Sequence, residues 1–177
     1  MIKYAAFLRG INIGGRKVTM DELRQVFESL VFRNVKTFIA SGNVIFEADN
    51  KLDSTSLTTV IEKKLKAQFG FDIAVALRNI NDLAALAHMN PFRKVPRTPK
   101  TKLYVTFFAG KPAKALCIPY KHPDKNFIIV RLSDTEACSV LTLSPGTGTT
   151  DLMNFLEKTF GKNITTRNWN TIQKLLT

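Results

Sequence analysis

The strongest constraint on the fold is the order of apolar segments in residues 1–78. Residues 4–9 form a continuous apolar run typical of a buried strand, and the runs 35–40 and 44–47 flank Ser41-Gly42-Asn43, the composition of a tight hairpin turn. Residues 73–77 form a fourth strand-like run, and segments of helical period separate the first run from the second and the third from the fourth. The order is βαββαβ, the split βαβ plan of ferredoxin-like folds.

Both helical segments carry recognisable start or stop signals. Thr19 with Glu22 three positions later forms a capping box, and the apolar face behind it consists of Met20, Leu23, Val26, Phe27 and Leu30. For the second helix, Ser54 or Thr55 is predicted to cap the start and Gly70 to end it. Its apolar face consists of Leu57, Val60, Ile61, Leu65 and Phe69.

The second half repeats this pattern. Strands are predicted at 102–108, 126–131, 136–143 and 163–167, with a short helical or irregular crossover at 112–117. A helix follows the third strand, with Asp151 in its first turn, Lys158 near its end and Gly161 after it, and Asn168 or Asn170 caps a terminal helix. We therefore predict an α+β protein of duplicated ferredoxin-like (βαββαβ) subdomains with mainly antiparallel sheets.

The predicted domain organisation has three parts. Residues 1–78 are the first ferredoxin-like subdomain, and residues 102–177 are the second, with its C-terminal helix. Residues 79–101 comprise a linker helix around 82–87 and a basic segment in which Pro91, Pro96 and Pro99 oppose regular structure, so that we expect a stiff, exposed connector.

The positive charge is unevenly distributed. The net charge is +12, and nine basic residues lie in 93–125, where Asp124 is the only acid. Such a field attracts anions, and lysines and arginines gain affinity for nucleic acids by displacing counterions from phosphates. A solvated, solubilising surface explains the same charges. The basic residues are Arg93, Lys94, Arg97, Lys100, Lys102, Lys111, Lys114, Lys121 and Lys125.

Several features predict a cytoplasmic setting. No apolar run approaches the length needed to cross a bilayer, and the first residues lack the apolar stretch of a signal peptide. Cys117 and Cys138 lie in apolar surroundings without C-x-x-C spacing, so we predict two reduced core residues rather than a disulfide or metal framework. No membrane partner is expected.

One candidate binding site follows from the predicted strand order. The end of the first strand approaches the start of the third, which brings Arg9 and Asn12 towards Ser41 and Asn43. Gly14 and Gly15 lie in the loop that leads into the first helix, where glycines and free N–H groups favour phosphate binding. Neither the dinucleotide-binding nor the Walker pattern is present, and for the glycines we favour a role as turn residues over phosphate binding.

The other candidate lies in residues 165–171, where Arg167 and Asn168 accompany the only tryptophan of the chain, Trp169. Arg167 is a candidate fork for an anion or carboxylate. For Trp169 and Asn170 we favour structural roles, as a core anchor and a helix cap. His88 and His122 have no evident catalytic partner, and no metal or cofactor motif is present, so whether the chain is an enzyme stays open.

Three motifs resemble one family. They are RGINIGG at 9–15, SGNVIF at 41–46 and TTRNWNT at 165–171. Their order and spacing resemble an uncharacterised bacterial domain-of-unknown-function family from end to end. The resemblance implies a bacterial, cytoplasmic protein of two similar α+β subdomains, in which the motifs mark shared positions of undetermined role.

Three functions remain open. The first is a basic protein that binds an anionic ligand, either nucleic acid or a phosphorylated metabolite; the others are a small-molecule enzyme and an assembly protein without a ligand. An RNA-recognition sheet would need exposed aromatics on its strands, whereas both faces of the first strand are apolar here. We therefore expect the sheet faces to be covered and loops or edges to bind the ligand.

Overall fold

The computed structural model describes residues 1–38, 42–49 and 53–177. The described residues form two compact units, Met1–Ala84 and Ala85–Thr177. Each contains one sheet in which every strand pair is antiparallel, with helices between strands. The predicted α+β class with mainly antiparallel sheets is confirmed. The finer boundaries at residues 78 and 102 stay predictions.

Within its described residues, the first unit contains one four-stranded sheet, two complete helices and the start of a third. Its sheet has the order β2-β3-β1-β4, so the first strand is central and pairs with both the third and the fourth. Its elements are β1 (Ile2–Leu8), α1 (Met20–Glu28), β2 (Arg33–Phe38), β3 (Asn43–Ala48), α2 (Ser54–Phe69) and β4 (Val75–Asn79).

The ends of both helices follow from local hydrogen bonding. Thr19 and Glu22 form the predicted capping box of α1, and Gly70 ends α2 in the left-handed conformation, with φ of 78°. The start of α2 differs from the prediction. Asp53 is the N-cap, because its carboxylate accepts the N–H groups of Thr55 and Ser56 at 2.9 and 3.0 Å. Ser54 and Thr55 were wrong as caps because they already lie inside the first turn.

The central strand β1 is buried on both faces, as its sequence predicted. Tyr4, Ala6 and Leu8 belong to the apolar cluster that also contains the inner faces of α1 and α2. Ala5 and Phe7, which point to the other face of the strand, are equally inaccessible to solvent. Ligands therefore have access to the loops and edges of this sheet rather than to β1.

The second unit contains a five-stranded sheet of order β6-β7-β8-β5-β9. Residues 109–119, which connect the first strand of this sheet to the second, form no helix, so the predicted crossover is irregular. The division between the units falls inside α3 (Ile80–Met89). The other elements are β5 (Thr101–Phe108), β6 (Tyr120–Lys121), β7 (Phe127–Leu132), β8 (Glu136–Thr142), α4 (Thr149–Phe160), β9 (Ile164–Asn168) and α5 (Trp169–Leu175).

The proline-rich connector is anchored by one aromatic side chain. Most of residues 93–100 are exposed as predicted, but Phe92 is buried. Its ring lies edge-on to Trp169, with the ring centroids 5.2 Å apart. Such an aromatic pair contributes about 0.5–1.5 kcal/mol beyond the burial of its area. The prediction of Trp169 as a core anchor is thus confirmed, whereas a fully exposed connector was wrong.

The two cysteines differ in environment. Cys138 lies in the middle of β8 and is fully buried, and this burial, with a smaller contribution from Glu136, raises the pKa of its thiol to about 12. Cys117 is exposed, so its prediction as a core residue was wrong. Its apolar neighbours in sequence gave a false signal, because the irregular crossover 109–119 lies largely at the surface.

This difference predicts the stoichiometry of thiol labelling. In the native protein at neutral pH, a thiolate-specific disulfide reagent should modify only Cys117. The Cys138 thiol is buried, and with a pKa of about 12 it is not ionised. Both thiols should react once the chain is unfolded in denaturant. The native and denatured counts can be read from absorbance, and Cys117→Ser should abolish the native signal. Rapid native labelling of Cys138 would contradict this assignment.

Candidate functional site

The end of β1 is hydrogen-bonded to both neighbouring strands. The N–H of Leu8 donates to the carbonyl of Gly42 at 2.8 Å, and the N–H of Arg9 donates to the carbonyl of Ala74 at 2.9 Å. Phe7 lies directly opposite Asn43 in the ladder. The loop that starts at Arg9 therefore begins beside the start of β3, the juxtaposition on which the candidate site depends. Ser41 lies outside the described residues.

The loop is pinned to the core at two points. Ile11 and Val18 are buried in the same cluster as the inner face of α1. Asn12 links them, because its Oδ1 accepts the N–H of Val18 at 2.9 Å while its own backbone is left-handed, with φ of 58°. Residues 12–17 are exposed between the two anchors. Asn12 thus shapes the loop through its side chain.

Asn43 has a structural role at the hairpin. It is the first residue of β3 and is almost fully buried. Its Nδ2 donates to the carbonyl of Phe38 at 2.9 Å, across the hairpin between β2 and β3. A buried amide needs such partners. Asn43 therefore supports the turn beside the loop.

Gly14 and Gly15 form the open part of the loop. Both have positive φ, at 59° and 83°, and a side chain at either position would meet nothing within 4 Å. Within the described part of the chain, the N–H groups of Gly14, Gly15 and Lys17 form no hydrogen bond. Successive amides in such turn conformations make concavities that bind anions.

Arg16 is held over this loop by an aromatic ring that the sequence did not reveal. Its guanidinium carbon lies 4.9 Å from the centroid of the Phe71 ring. Its Nη1 lies 3.8 Å from where a side chain on Gly10 would begin. A cation over an aromatic face gains about 0.5–1 kcal/mol at an exposed site. Phe71 thereby positions a positive charge beside Gly10, in the same loop as the unbonded amides.

The start of α1, in contrast, already holds a carboxylate. Glu22 accepts the N–H of Thr19 at 3.0 Å, and Thr19 Oγ1 accepts the N–H of Glu22 at 3.2 Å. The side-chain and backbone hydrogen bonds from Thr19 lower the pKa of Glu22, so this group is an anion at neutral pH. The loop, rather than the start of the helix, is the candidate anion site.

Arg167 and Asn168 lie in the second unit. Arg167 is buried in β9, and its Nη1 donates to Thr165 Oγ1 at 2.8 Å and to the carbonyl of Thr166 at 3.0 Å. Burial lowers its pKa to about 10, which leaves it charged at neutral pH. Asn168 is the N-cap of α5, because its Oδ1 accepts the N–H of Asn170 at 2.9 Å. The alternative cap, Asn170, lies inside the helix.

Neither a metal-binding cluster nor a helix suited to crossing a membrane occurs in the described residues. Across residues 1–38, 42–49 and 53–177, no cluster of three or more His, Cys, Asp or Glu side chains is arranged to hold a metal ion. Over the same ranges, no helix combines the length and apolar character that a membrane span requires.

Comparisons with known proteins establish a family. A family model described as a protein of unknown function (DUF1697) matches residues 1–136. The chain therefore belongs to this family. A solved structure described as a conserved bacterial protein from Streptococcus pneumoniae has 23% sequence identity, covers 99% of this chain and 98% of its own, and superimposes with a TM-score of 0.75. That likeness shows a shared fold. The search of curated proteins found no match.

The loop's position depends on the absence of a side chain at Gly42. A Cβ there would lie 2.5 Å from Ile11 Cδ1 and 3.1 Å from Leu8 Cβ, and φ is 76°. We predict that Gly42→Ala lowers the free energy of unfolding by about 2–4 kcal/mol, the sum of left-handed strain and overpacking. Gly15→Ala should cost only about 1 kcal/mol, because it adds the strain without the overpacking. Urea denaturation measures both, and equal losses would contradict the proposed packing of Ile11.

Proposed function

We propose that this member of the DUF1697 family binds a compact oxyanion, the phosphate group of a metabolite, in the loop 9–17. The observation that carries the proposal is the Arg16 guanidinium, which Phe71 holds above a glycine loop with unbonded amides. A positioned cation and backbone N–H groups without a protein acceptor are donors that phosphate recognition uses. The family match supplies no activity, so the proposal depends on this geometry.

The local charge supports an anion at this loop. Arg9, Arg16 and Lys17 lie within nine positions, and no acidic residue occurs before Asp21. Asp21 itself is paired with Arg24 at 3.1 Å. The field at the loop is therefore positive, and it attracts an anion before any contact is made.

The rigidity of the loop also supports binding. Its two ends are anchored by Ile11 and Val18 in the core, and Asn12 ties them together. A loop that is already ordered loses little conformational entropy when a ligand binds. The backbone amides can therefore contribute to affinity without a large ordering cost.

We also propose that both units are variants of the ferredoxin-like plan. The four strands β7-β8-β5-β9 are arranged in the second sheet as β2-β3-β1-β4 are in the first. The irregular crossover 109–119 and the extra strand β6 distinguish the second unit. Within this proposal the subdomains are 1–78 and 102–177, with 79–101 as connector.

A cytoplasmic setting is also proposed, since it would keep Cys117 and Cys138 reduced.

The proposed site predicts a selective loss of anion binding. Inorganic pyrophosphate should stabilise the protein against thermal unfolding, because a ligand at 100 times its dissociation constant adds about 2.7 kcal/mol. Arg16→Ala should weaken pyrophosphate binding about tenfold or more, since a hydrogen bond to a charged group contributes about 1.5–3 kcal/mol. Isothermal calorimetry at constant ionic strength gives the dissociation constants.

Arg33→Ala is the matched control for this measurement. Arg33 is an exposed arginine at the start of β2, paired in register with Glu47, whereas the loop follows the opposite end of β1. The control removes one positive charge from the same sheet and should leave the dissociation constant within about twofold. Equal weakening by the two substitutions, or unchanged binding in Arg16→Ala, would show that the loop is not the site.

A further inference from the structure

A second cluster of positive charge lies in the second unit, away in sequence from the loop 9–17. Seven basic side chains between residues 93 and 121 are exposed, and in the part of the chain that the structure describes none of them forms an ion pair. They are Arg93, Lys94, Arg97, Lys100, Lys111, Lys114 and Lys121. None lies on a helix. Their placement therefore depends on strand ends and turns.

The strand register brings the exposed Lys121 and the half-buried Lys102 to one end of the second sheet. Lys102 at the start of β5 lies opposite Leu141, and Leu141 lies opposite Phe127 at the start of β7. Lys121 on β6 lies opposite Ile128, the next residue of β7. With strands about 4.8 Å apart, the backbones of Lys102 and Lys121 are separated by about 15 Å along this end of the sheet, and their side chains start on opposite faces of it.

Two loops complete the same end of the sheet. The carbonyl of Lys100 accepts the N–H of Leu143 at 3.0 Å, which fixes Lys100 beside the end of β8. Arg97 precedes the turn in which the N–H of Thr101 donates to the carbonyl of Thr98 at 3.0 Å. We call the set Arg97, Lys100, Lys102, Lys121 and Lys125 the cationic rim.

The loop between β6 and β7 is held in place by its histidine. The His122 ring packs on Phe127, with centroids 4.7 Å apart, and lies edge-on to Phe155 at 5.4 Å. Its Nδ1 accepts the N–H of Asp124 at 3.1 Å. The backbone at Lys121, the last residue of β6, and at Lys125 in the loop is therefore ordered before any partner binds.

One member of the rim already has a partner. Lys125 Nζ contacts Asp151 Oδ1 at 3.0 Å and donates to the carbonyl of Gly146 at 2.6 Å. Hydrogen bonds from the N–H of Gly148 and from Lys125 lower the pKa of Asp151, which keeps this pair ionic. The remaining four residues of the cationic rim are the ones that would displace counterions from a phosphate chain. They are Arg97, Lys100, Lys102 and Lys121.

We propose that the cationic rim binds the phosphate backbone of a nucleic acid without reading its sequence. Four cations that form no ion pair within the described residues, on backbone positions spread along one end of the sheet, suit a chain of phosphates better than a single compact anion. An anionic membrane fits less well, because among the described residues none of the large exposed apolar side chains lies in 97–102 or 121–125. This surface is independent of the loop 9–17 and of the metabolite proposed for it.

The experiment measures the salt dependence of binding to an oligothymidylate of about 16 nucleotides. Fluorescence anisotropy gives the affinity of the full-length protein between about 50 and 200 mM salt. The triple variant Lys100→Gln, Lys102→Gln, Lys121→Gln should lower the magnitude of the slope of log K against log salt by about 2, at about 0.7 for each phosphate that the variant no longer neutralises. The affinity at low salt should fall about tenfold or more.

The matched control is Lys3→Gln, Lys36→Gln, Lys63→Gln, which removes the same charge from exposed positions of the first unit. It should leave the slope unchanged, and circular dichroism checks that both variants are folded. If the two triple variants changed the salt slope and the affinity equally, binding would depend only on the net charge of the protein, and the proposal would be overturned. So would the absence of binding at about 50 mM salt, or tighter binding to anionic vesicles than to the oligonucleotide.

Discussion

The pairing of the end of β1 with both of its neighbours is the constraint on which the candidate site depends. The N–H groups of Leu8 and Arg9 donate to the carbonyls of Gly42 and Ala74. These two hydrogen bonds fix where the loop leaves the sheet, between the start of β3 and the segment before β4. The buried side chain of Ile11 then packs where Gly42 has no Cβ. These hydrogen bonds and this packing contact hold the start of the loop against the sheet.

Local signals were sufficient to predict much of the fold. The capping box of Thr19 and Glu22 and the left-handed Gly70 each act through atoms only a few residues apart, so their sequence patterns are decisive. For α5 the sequence left Asn168 and Asn170 as alternatives, and the structure has Asn168 as the cap. The cap of α2 was missed because Asp, Ser and Thr follow one another at 53–55, and each residue type is a good N-cap. The N-cap preference of a residue type cannot decide among three adjacent residues that all have it.

The missed features all depend on residues that are distant in sequence. Nothing local to Arg16 predicts that Phe71 lies beneath its guanidinium, and nothing local to Phe92 predicts its packing against Trp169. The pattern around Cys117 was misleading because the irregular segment 109–119 lies largely at the surface, which apolar neighbours in sequence do not reveal. The sequence therefore singled out the loop 9–17 only as a candidate, and the contact between Arg16 and Phe71 required the tertiary structure.

The central claim is that the amides of the loop 9–17 bind a phosphate group, and it is tested most directly by titrating the isotope-labelled full-length protein with inorganic pyrophosphate. Heteronuclear NMR should show saturable shifts of the Gly14, Gly15 and Lys17 amide resonances, because these N–H groups form no hydrogen bond within the described residues. Resonances at the start of β2 should not move. Shifts that avoid the loop, or that never saturate, would contradict the account.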